Sequence, residues 1–350
     1  MTLRLLTIRN FRCFDRLDVN FHERMTLLSG PNGSGKTSIL EAIQVIQMLR
    51  SFRTPTIRDL IKNEQAAFSL RATIETTVAS EEIHVAYGAH ERVVELNGVA
   101  QTSRREIRQL FHVLSITEDD MRMVQGFPEI RRLFLDQVSV ILHPTYRDLL
   151  QRHNQLSKQR ASLCMLGKAS DDIALWTEQV WGVAQQIRTS RRETAQQIAA
   201  IANTLLADVD AHFAALQLSY RVNNTEREAM SVEEWLRTYH ARELRMRRGL
   251  CGAQFDELDI IVEEHAARRF ASRGMQKLLV MVLKLAQVKI AGKTTLLLDD
   301  LMADFDDKRL ELMLHMLHAV DAQLIVTVPR TADTALHSFA QKLQGSIIAL

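Results

Sequence analysis

The stretch Met25–Ile43, MTLLSGPNGSGKTSILEAI, carries the pattern G-x-x-x-x-G-K-[ST] at Gly30–Thr37. The residues before this pattern are mostly apolar, as in a buried strand, and Ser38–Ile43 has apolar residues at helical spacing. A strand, a glycine-rich turn and a helix in this order are the context in which the pattern forms a phosphate-binding loop. A chance match in an ordinary glycine loop is the alternative, which a second motif far along the chain disfavours.

The residue types of this loop suit an anionic phosphate group. Backbone N–H groups of the turn and of the helix N-terminus can point at the anion, and glycines let the backbone approach it without a Cβ in the way. The pattern predicts that Lys36 contacts the β- and γ-phosphates and that Thr37 is a ligand of Mg²⁺. The predicted nucleotide-binding residues are Gly30, Pro31, Asn32, Gly33, Ser34, Gly35, Lys36, Thr37 and Ser38.

The composition is that of a globular protein. The 350 residues are 46% hydrophobic and 25% charged, enough for one large or two modest domains, and the net charge of +2 does not by itself indicate a polyanionic partner. Cys13, Cys164 and Cys251 are far apart and lack metal-ligand spacing, so we expect reduced cysteines in a cytoplasmic protein. No signal-peptide core and no run of 18 apolar residues is found, so neither export nor a membrane partner is expected.

Three segments differ in their hydrophobic periodicity. Residues 1–127 read as strands with one embedded helix, because apolar and polar residues alternate at Leu3–Arg9 and Leu70–Ile74. In residues 128–248 glycine and proline are scarce and apolar residues recur every three or four positions, which predicts a mainly helical insertion. Residues 249–350 return to helices and buried strands. The prediction is an α/β fold in which the first and third segments form one domain around the second.

Thr295–Asp300, TLLLDD, is an apolar run that ends in two carboxylates, as a Walker B strand does. A strand buried in a parallel sheet is apolar throughout, and its carboxyl end lies at the edge where ligands bind. We expect Asp299 to hold the Mg²⁺ shell and Asp300 to orient or deprotonate the attacking water. Alone, the run also fits a core strand that ends in a solvated turn. About 260 residues separate Lys36 from Asp299, and a nucleotide site split around an insertion is typical of DNA-acting ATPases of the ABC superfamily.

Ser272–Lys277, SRGMQK, lies about 25 residues before this run. A serine and a glycine at the start of a helix can offer a hydroxyl and unobstructed N–H groups to an anion. An ordinary serine N-cap explains the same residues, and the residues alone leave both explanations open.

Several motifs, in the same order along nearly the whole chain, resemble those of the RecF family. Ile8–Phe14 resembles its N-F-R-N-Y start, and Gly30–Thr37 with Glu41–Ile43 matches its Walker A segment. Further similar segments are Thr117–Gly126, Arg131–Asp136, the signature Ser272–Lys277 and Leu296–Asp306. The sequence is identified on these motifs as a member of that family.

Four segments depart from the family pattern, which indicates either a diverged paralogue or a lineage with relaxed accessory contacts. The departures bear on partner binding and DNA preference more than on ATP binding. They are Gly252–Glu257, where G-P-H-R-D-D is usual, Met275 in the signature, Ala303-Asp304 in the D-loop, and the tip Thr327–Arg330.

The resemblance implies an ABC-type ATPase head that binds ATP and Mg²⁺ and forms an ATP-dependent homodimer. In such dimers the signature of one copy faces the ATP of the other. Ser272 and Gly274 are therefore expected to touch the γ-phosphate of ATP held by Lys36 of a second copy. Arg12 is expected to approach the nucleotide, by analogy with related heads. The implied catalytic residues are Lys36 and Asp300, and the implied metal ligands are Thr37 and Asp299.

The function implied by the resemblance is slow ATP hydrolysis that regulates dimerisation and the binding of duplex or gapped DNA in recombinational repair. RecR and RecO are the implied partners in recombinase loading. The altered segment Gly252–Glu257 motivates an alternative, a nucleotide-gated switch module of a defence or mobile-element system. A degenerate ATP binder that does not hydrolyse is a third possibility, ranked last because Asp300 and Ser272 are both present.

Clusters of arginine are the candidates for contact with DNA phosphates, and a solvated helix face is the competing explanation for each cluster. The pair Arg131 and Arg132 is preferred, since it lies within a motif similar to the family's. The candidates are Arg104, Arg105, Arg108, Arg131, Arg132, Arg242, Arg245, Arg247 and Arg248.

Overall fold

The computed structural model describes residues 1–88, 92–101, 105–167, 170–208, 213, 215–223, 230–300, 307–329 and 334–350. They form two compact units, residues 1–120 with 291–350 and residues 121–290. The first unit is built from both ends of the chain, as predicted. Arg104, the D-loop positions Ala303 and Asp304, and Arg330 lie outside the described residues.

The strands and helices follow one another along the chain in the order of their numbers. The strands are β1 (Thr2–Phe11), β2 (Phe14–Asn20), β3 (Met25–Gly30), β4 (Ala67–Glu75), β5 (Ser80–Gly88), β6 (Arg92–Leu96), β7 (Val99–Ala100), β8 (Val113–Ile116), β9 (Leu216–Arg221), β10 (Glu257–Val262), β11 (His265–Ala266), β12 (Thr294–Leu298), β13 (Ala322–Pro329) and β14 (Ser346–Ala349). The helices are α1 (Lys36–Met48), α2 (Arg105–Leu110), α3 (Arg122–Gln125), α4 (Pro128–Leu142), α5 (Tyr146–Met165), α6 (Ser170–Ala207), α7 (Val232–Met246), α8 (Ala267–Phe270), α9 (Arg273–Ala291), α10 (Asp307–His318) and α11 (Thr334–Lys342).

A parallel sheet in the first unit brings the two sequence motifs together. Its strand order is β14-β3-β13-β12-β8. Every residue of β3 and β12 is buried, which explains why both strands are mostly apolar in sequence. The register pairs Gly30 with Pro329 and Leu298 with Val326. Strands β3 and β12 therefore end at the same edge of the sheet, with β13 between them.

The helix that follows the phosphate loop is held by the core of the first unit. An antiparallel sheet, in the order β2-β1-β4-β5-β6-β7, presents one buried face, as the alternating burial along β4 shows. Helix α1 contacts strands of both sheets, and Ile39, Ile43 and Ile46 on it have no solvent exposure. The apolar spacing of α1 thus fixes the helix, and with it the position of the loop.

The second unit is mainly helical and contains a small antiparallel sheet in the order β11-β10-β9. Helices α5 and α6 pack along each other, and α6 has 38 residues. Strand β9 lies inside the segment whose periodicity predicted a mainly helical fold, and its residues pair with β10 from Leu216 opposite Val262 to Arg221 opposite Glu257.

The second domain boundary differs from the sequence prediction. Periodicity assigns residues 249–290 to the ATPase domain, whereas they belong to the second unit. The reason is tertiary: β10 pairs with β9, and Asp256 forms an ion pair with Arg188 of α6. Among the described residues, no helix combines the length and apolar character needed to cross a membrane.

Candidate functional site

The phosphate-loop segment folds as a strand, a turn and a helix, in which β3 ends at Gly30 and α1 begins at Lys36. Gly33 and Gly35 have φ values of 86° and 98°, in the left-handed region that favours glycine. A Cβ on Gly35 would overlap the ring of Phe14 and come within 2.9 Å of Cys13 Sγ. Glycine is therefore required at the N-cap of α1.

The loop holds the ammonium group of Lys36, a residue that is 5% exposed overall. Its Nζ donates hydrogen bonds to the carbonyl oxygens of Gly30, at 2.8 Å, and Pro31, at 3.1 Å. The first turn of α1 has no acidic residue and its N-cap makes no side-chain hydrogen bond, so the positive end of the helix dipole can serve an external anion. Ser34 Oγ is buried and has no hydrogen-bond partner in the described part of the chain. These features fit a bound phosphate group.

Asp299 follows β12 and lies beside the first turn of α1. Thr37 Oγ1 donates to Asp299 Oδ1 at 2.9 Å, and Thr327 Oγ1 on β13 donates to the same oxygen at 3.0 Å. Burial raises the pKa of Asp299; the two hydroxyls and the charge of Arg53 lower it only partly, and Asp300 raises it further. A hydroxyl and a carboxylate oxygen so close together are hard-oxygen donors of the kind that Mg²⁺ prefers.

Asp300 lines the same cleft as Lys36. Its φ is 47°, in the left-handed region, which aspartate tolerates better than most residues. Its N–H donates to Thr327 Oγ1 at 2.8 Å, so one threonine contacts both acidic residues. Asp300 is exposed and Asp299 is half-buried. The inner carboxylate is thus suited to a metal ion and the outer one to water.

Lys36, Thr37 and Asp300 line one cleft of about 730 Å³, a size that suits a nucleotide. The side chains of Arg12, Arg53 and Lys62 line it together with Lys36. Arg12 donates from Nε and Nη2 to Glu41, at 2.7 Å each, and from Nη1 to a backbone carbonyl oxygen at 2.9 Å. Its guanidinium is therefore fixed at the wall. Of the nine predicted loop residues, six line the cleft: Asn32, Gly33, Gly35, Lys36, Thr37 and Ser38.

Arg53 and Thr327 are among the residues at this site that were not predicted from the sequence. Arg53 lines the cleft and its charge lowers the pKa of Asp299, but it lies five residues beyond the end of α1, outside every motif. Thr327 lies in a segment that resembles the family only loosely. The order of the strands, with β13 between β3 and β12, is the information that would have identified it.

The signature segment belongs to the second unit, where Ser272 lies directly before α9. Its Oγ accepts a hydrogen bond from the N–H of Met275 at 3.2 Å. Ser272 therefore caps the helix, as the simpler explanation holds, while its hydroxyl proton can still be donated to another acceptor. Gly274 is the second residue of α9 and adds no side chain at this end.

The preferred arginine pair is not available to DNA, so that prediction is wrong. Arg131 is 5% exposed and donates through Nε and Nη2 to the carboxylate of Glu257, at 3.0 and 3.1 Å. Arg132 is 9% exposed and donates through Nη1 to the carbonyl oxygen of Asp256 at 2.6 Å. Of the other candidates, the side chains of Arg104 and Arg105 lie outside the description, Arg108 is half-buried, and Arg242, Arg245, Arg247 and Arg248 are exposed.

Segments from opposite ends of the chain thus complete one phosphate-loop site at the edge of a parallel sheet, and an inserted unit interrupts the fold between them. This architecture is that of the ABC-type ATPase heads. The chain belongs to the family described as RecF/RecN/SMC N terminal domain, whose family model matches residues 2–345.

Within this family the similarity is to RecF proteins. The chain is 28% identical over 347 residues to the DNA replication and repair protein RecF of Nostoc punctiforme, covering 93% of this chain and 92% of that protein. It is 30% identical over 335 residues to that of Thermosynechococcus vestitus, covering 91% and 88%. A solved structure described as the recombination mediator protein RecF-ATP in the RecFOR pathway has a similar fold, with a TM-score of 0.79 at 23% identity over 95% of this chain and 93% of that one. The predicted family and fold class are confirmed.

Replacing Asp299 by asparagine should stabilise the nucleotide-free protein. Burial holds the pKa of this carboxyl above its unfolded value. Ionisation of Asp299 therefore lowers the free energy of unfolding. This loss is absent below the pKa of the carboxyl in the unfolded chain, and it grows as the pH rises from that value through the higher pKa of the folded state. The asparagine oxygen can still accept from Thr37 and Thr327. We expect a thermal unfolding midpoint about 1–3 °C higher at pH 7.5, and no gain below about pH 4.

The control for this measurement is Asp59→Asn, a change of an exposed carboxylate that lines the nucleotide cleft, which should leave the midpoint unchanged. A lower midpoint for Asp299→Asn than for the unaltered protein at pH 7.5 would contradict the burial argument.

Proposed function

We propose that two copies of this chain close around ATP, bind duplex or gapped DNA during replication and recombinational repair, and reopen on slow ATP hydrolysis. The observation that carries the proposal is the 2.9 Å contact between Thr37 Oγ1 and Asp299 Oδ1, since residues 262 apart in sequence form one site beside Lys36. Relatives named DNA replication and repair protein RecF support the choice of process.

ATP suits the donors around the loop. Lys36 Nζ can exchange the carbonyl oxygens of Gly30 and Pro31 for phosphate oxygens, which form stronger hydrogen bonds because they are charged. The N-terminus of α1 adds backbone N–H groups and a favourable dipole. Arg53 lines the cleft and adds a positive charge near Asp299. The similar solved structure described as RecF-ATP supports this choice of nucleotide.

Thr37 and Asp299 would hold a Mg²⁺ ion, which neutralises phosphate charge when it is bound. Asp299 must be ionised for this role, and its pKa is raised. As the pH falls, Asp299 should therefore become protonated earlier than an ordinary aspartate does. Metal-dependent binding should begin to weaken at a correspondingly higher pH. Asp300 faces the cleft from its exposed position and acts as the base that orients the attacking water and receives its proton.

A second copy of the chain completes the site. The hydroxyl of Ser272 in that copy donates to the γ-phosphate held by Lys36, and Gly274 leaves the N–H groups of α9 unobstructed. ATP then stabilises the closed dimer because it binds that state best. Hydrolysis removes the γ-phosphate that bridges the two copies, so the closed dimer loses this contact and reopens.

The pathway named for the similar solved structure, RecFOR, supports RecR and RecO as partners. A cytoplasmic location follows from this choice of ligand and partners. The alternative, a nucleotide-gated switch of a defence or mobile-element system, is not favoured, since the similarity to RecF proteins covers nearly the whole chain.

Replacing Asp300 by asparagine should trap the ATP-bound dimer, because the base is lost while the phosphate and metal contacts remain. Size-exclusion chromatography with light scattering should show twice the 40.0 kDa monomer mass with ATP and Mg²⁺. We expect the variant to keep this mass at least about tenfold longer than the unaltered protein after ATP is removed. Gapped DNA should co-elute with the dimer and not with the nucleotide-free chain.

Asp59→Asn, in the same cleft, should reopen as the unaltered protein does. A chain that remains monomeric with ATP, in both forms, would refute the proposal. A dimer that forms on ATP but ignores DNA would favour the switch module.

A further inference from the structure

Four arginines at the C-terminal end of α7 are exposed: Arg242, Arg245, Arg247 and Arg248. We call them the α7 arginine cluster. No ion pair joins any of them to another residue in the described part of the chain. The buried pair Arg131 and Arg132 differs in this respect, because its guanidinium groups are held inside the second unit.

The carboxylate within the cluster does not neutralise it. Glu243 has no exposed surface and pairs with Arg160 of α5, at 2.6 and 2.7 Å. Its Oε1 also accepts the N–H of Leu250 at 2.6 Å. Arg160 in turn lies 5.0 Å from the ring centre of the buried Trp235 on α7. The negative charge of Glu243 is therefore neutralised by the buried Arg160 and does not compensate the exposed arginines.

These contacts fix the chain segment that carries the cluster. Arg247 takes a left-handed conformation and its N–H donates to carbonyl oxygens of the last turn of α7. Arg248 N–H donates to the carbonyl oxygen of Glu243 at 3.3 Å. Since Leu250 is held two residues later, the turn is anchored on both sides and presents its arginines from a fixed backbone.

The other carboxylates of α7 are too distant to compensate the cluster. Glu233 and Glu234 lie in the first turn, at least about 12 Å from Arg242 along the helix axis. Exposed charges at such distances are largely screened at physiological salt, where the Debye length is about 8 Å. The helix dipole favours basic residues in the last turn, which accounts for Arg245, but Arg247 and Arg248 lie beyond the helix end.

We propose that the α7 arginine cluster binds the phosphates of duplex DNA, an inference that rests on the proposed function. The cluster's close, repeated positive charges match a polyanion with regularly spaced charges. Residues 242–248 contain no aromatic side chain. On the same helix Trp235 is buried, and Tyr239 packs against its ring, with the ring centres 5.5 Å apart. The segment therefore lacks the stacking platform with which proteins hold single-stranded bases. Binding through phosphates alone reads no sequence.

The test measures duplex binding by fluorescence anisotropy with ATP and Mg²⁺ at 50–200 mM salt. One variant changes all four cluster arginines to glutamine. A control variant changes four exposed arginines elsewhere, Arg9, Arg92, Arg147 and Arg152, and so loses the same charge. We expect the cluster variant to bind about 30-fold more weakly at 150 mM salt. The slope of the logarithm of affinity against the logarithm of salt concentration should be shallower, by the amount that corresponds to about two to three lost phosphate contacts. The control should stay within about threefold, and two unrelated DNA sequences should behave alike.

Unchanged ATP binding shows that the first unit of both variants is folded, and unchanged tryptophan fluorescence shows the same of the second unit, which holds Trp176, Trp181 and Trp235. Equal weakening of the two variants, or of neither, overturns the assignment to the cluster while the proposed function stands. Loss of binding to single strands only would assign the cluster to single-stranded DNA and also overturn the inference. An unaltered protein that binds no duplex at any salt concentration would remove the proposed function and the cluster's role together.

Discussion

Replacing Lys36 by methionine should weaken ATP binding about 100-fold and stop hydrolysis without unfolding the protein. The ammonium group is nearly buried between the carbonyl oxygens of Gly30 and Pro31, at the place where the loop would hold the phosphates. One lost charge-assisted hydrogen bond costs about 1.5–3 kcal/mol, and 2.8 kcal/mol corresponds to about two orders of magnitude in affinity. Titration calorimetry with ATP and Mg²⁺ measures this directly.

The matched control is Lys62→Met. Lys62 lines the same cleft, but its Nζ pairs with Asp15 at 2.6 Å, so its loss should change ATP affinity by less than about threefold. Lys36→Arg tests shape rather than charge, because a planar guanidinium cannot replace a compact ammonium group. ATP affinity equal to that of the unaltered protein in Lys36→Met would show that the loop does not bind the phosphates.

Replacing Asp256 by alanine should destabilise the second unit by about 3–5 kcal/mol. This carboxylate and the guanidinium of Arg188 both have no exposed surface. Asp256 accepts hydrogen bonds from Arg188 Nε at 2.9 Å and Nη2 at 3.1 Å, from the hydroxyl of Tyr220 at 2.5 Å and from the N–H of Asn223 at 2.9 Å. Alanine leaves a buried cation without its counter-ion, which costs more than the pair contributes.

Tryptophan fluorescence during urea unfolding suits this measurement, because Trp176, Trp181 and Trp235 all lie in the second unit. Asp259→Ala, three residues later and on β10, is the control. The pair of Asp259 with Arg221 is 30% and 53% exposed, and its loss should cost less than about 1 kcal/mol. Similar free energies of unfolding for both variants would contradict the prediction, because they would show that the buried ion pair contributes no more to stability than the exposed one.

The parts of this site that could be predicted are those that depend on local sequence. The loop requires glycine at fixed positions and a lysine at the helix start, so Gly35 and Lys36 are recognisable wherever the strand and helix around them are apolar enough. Asp299 and Asp300 end an apolar run that only a buried strand explains. The contact of Thr37 with Asp299 confirms that the two runs reach the same place.

The parts that could not be predicted depend on which segments become neighbours. Arg131 and Arg132 read as surface charge, yet Glu257 and the backbone of Asp256, more than 100 residues later, bury them. Thr327 contacts both acidic residues only because β13 lies between β3 and β12. The second domain boundary differs from its predicted position for the same reason, since β10 pairs with β9, a strand that precedes α7.

Sequence alone determined the phosphate loop, the paired carboxylates and the α/β class, because backbone conformation and strand burial restrict residue types at positions close in the chain. Tertiary structure alone decided which arginines remain available to a ligand and which threonine joins the acidic pair. Charge and hydroxyl groups look alike in a sequence whether they are buried or exposed, and only the neighbours brought by folding determine whether they are paired.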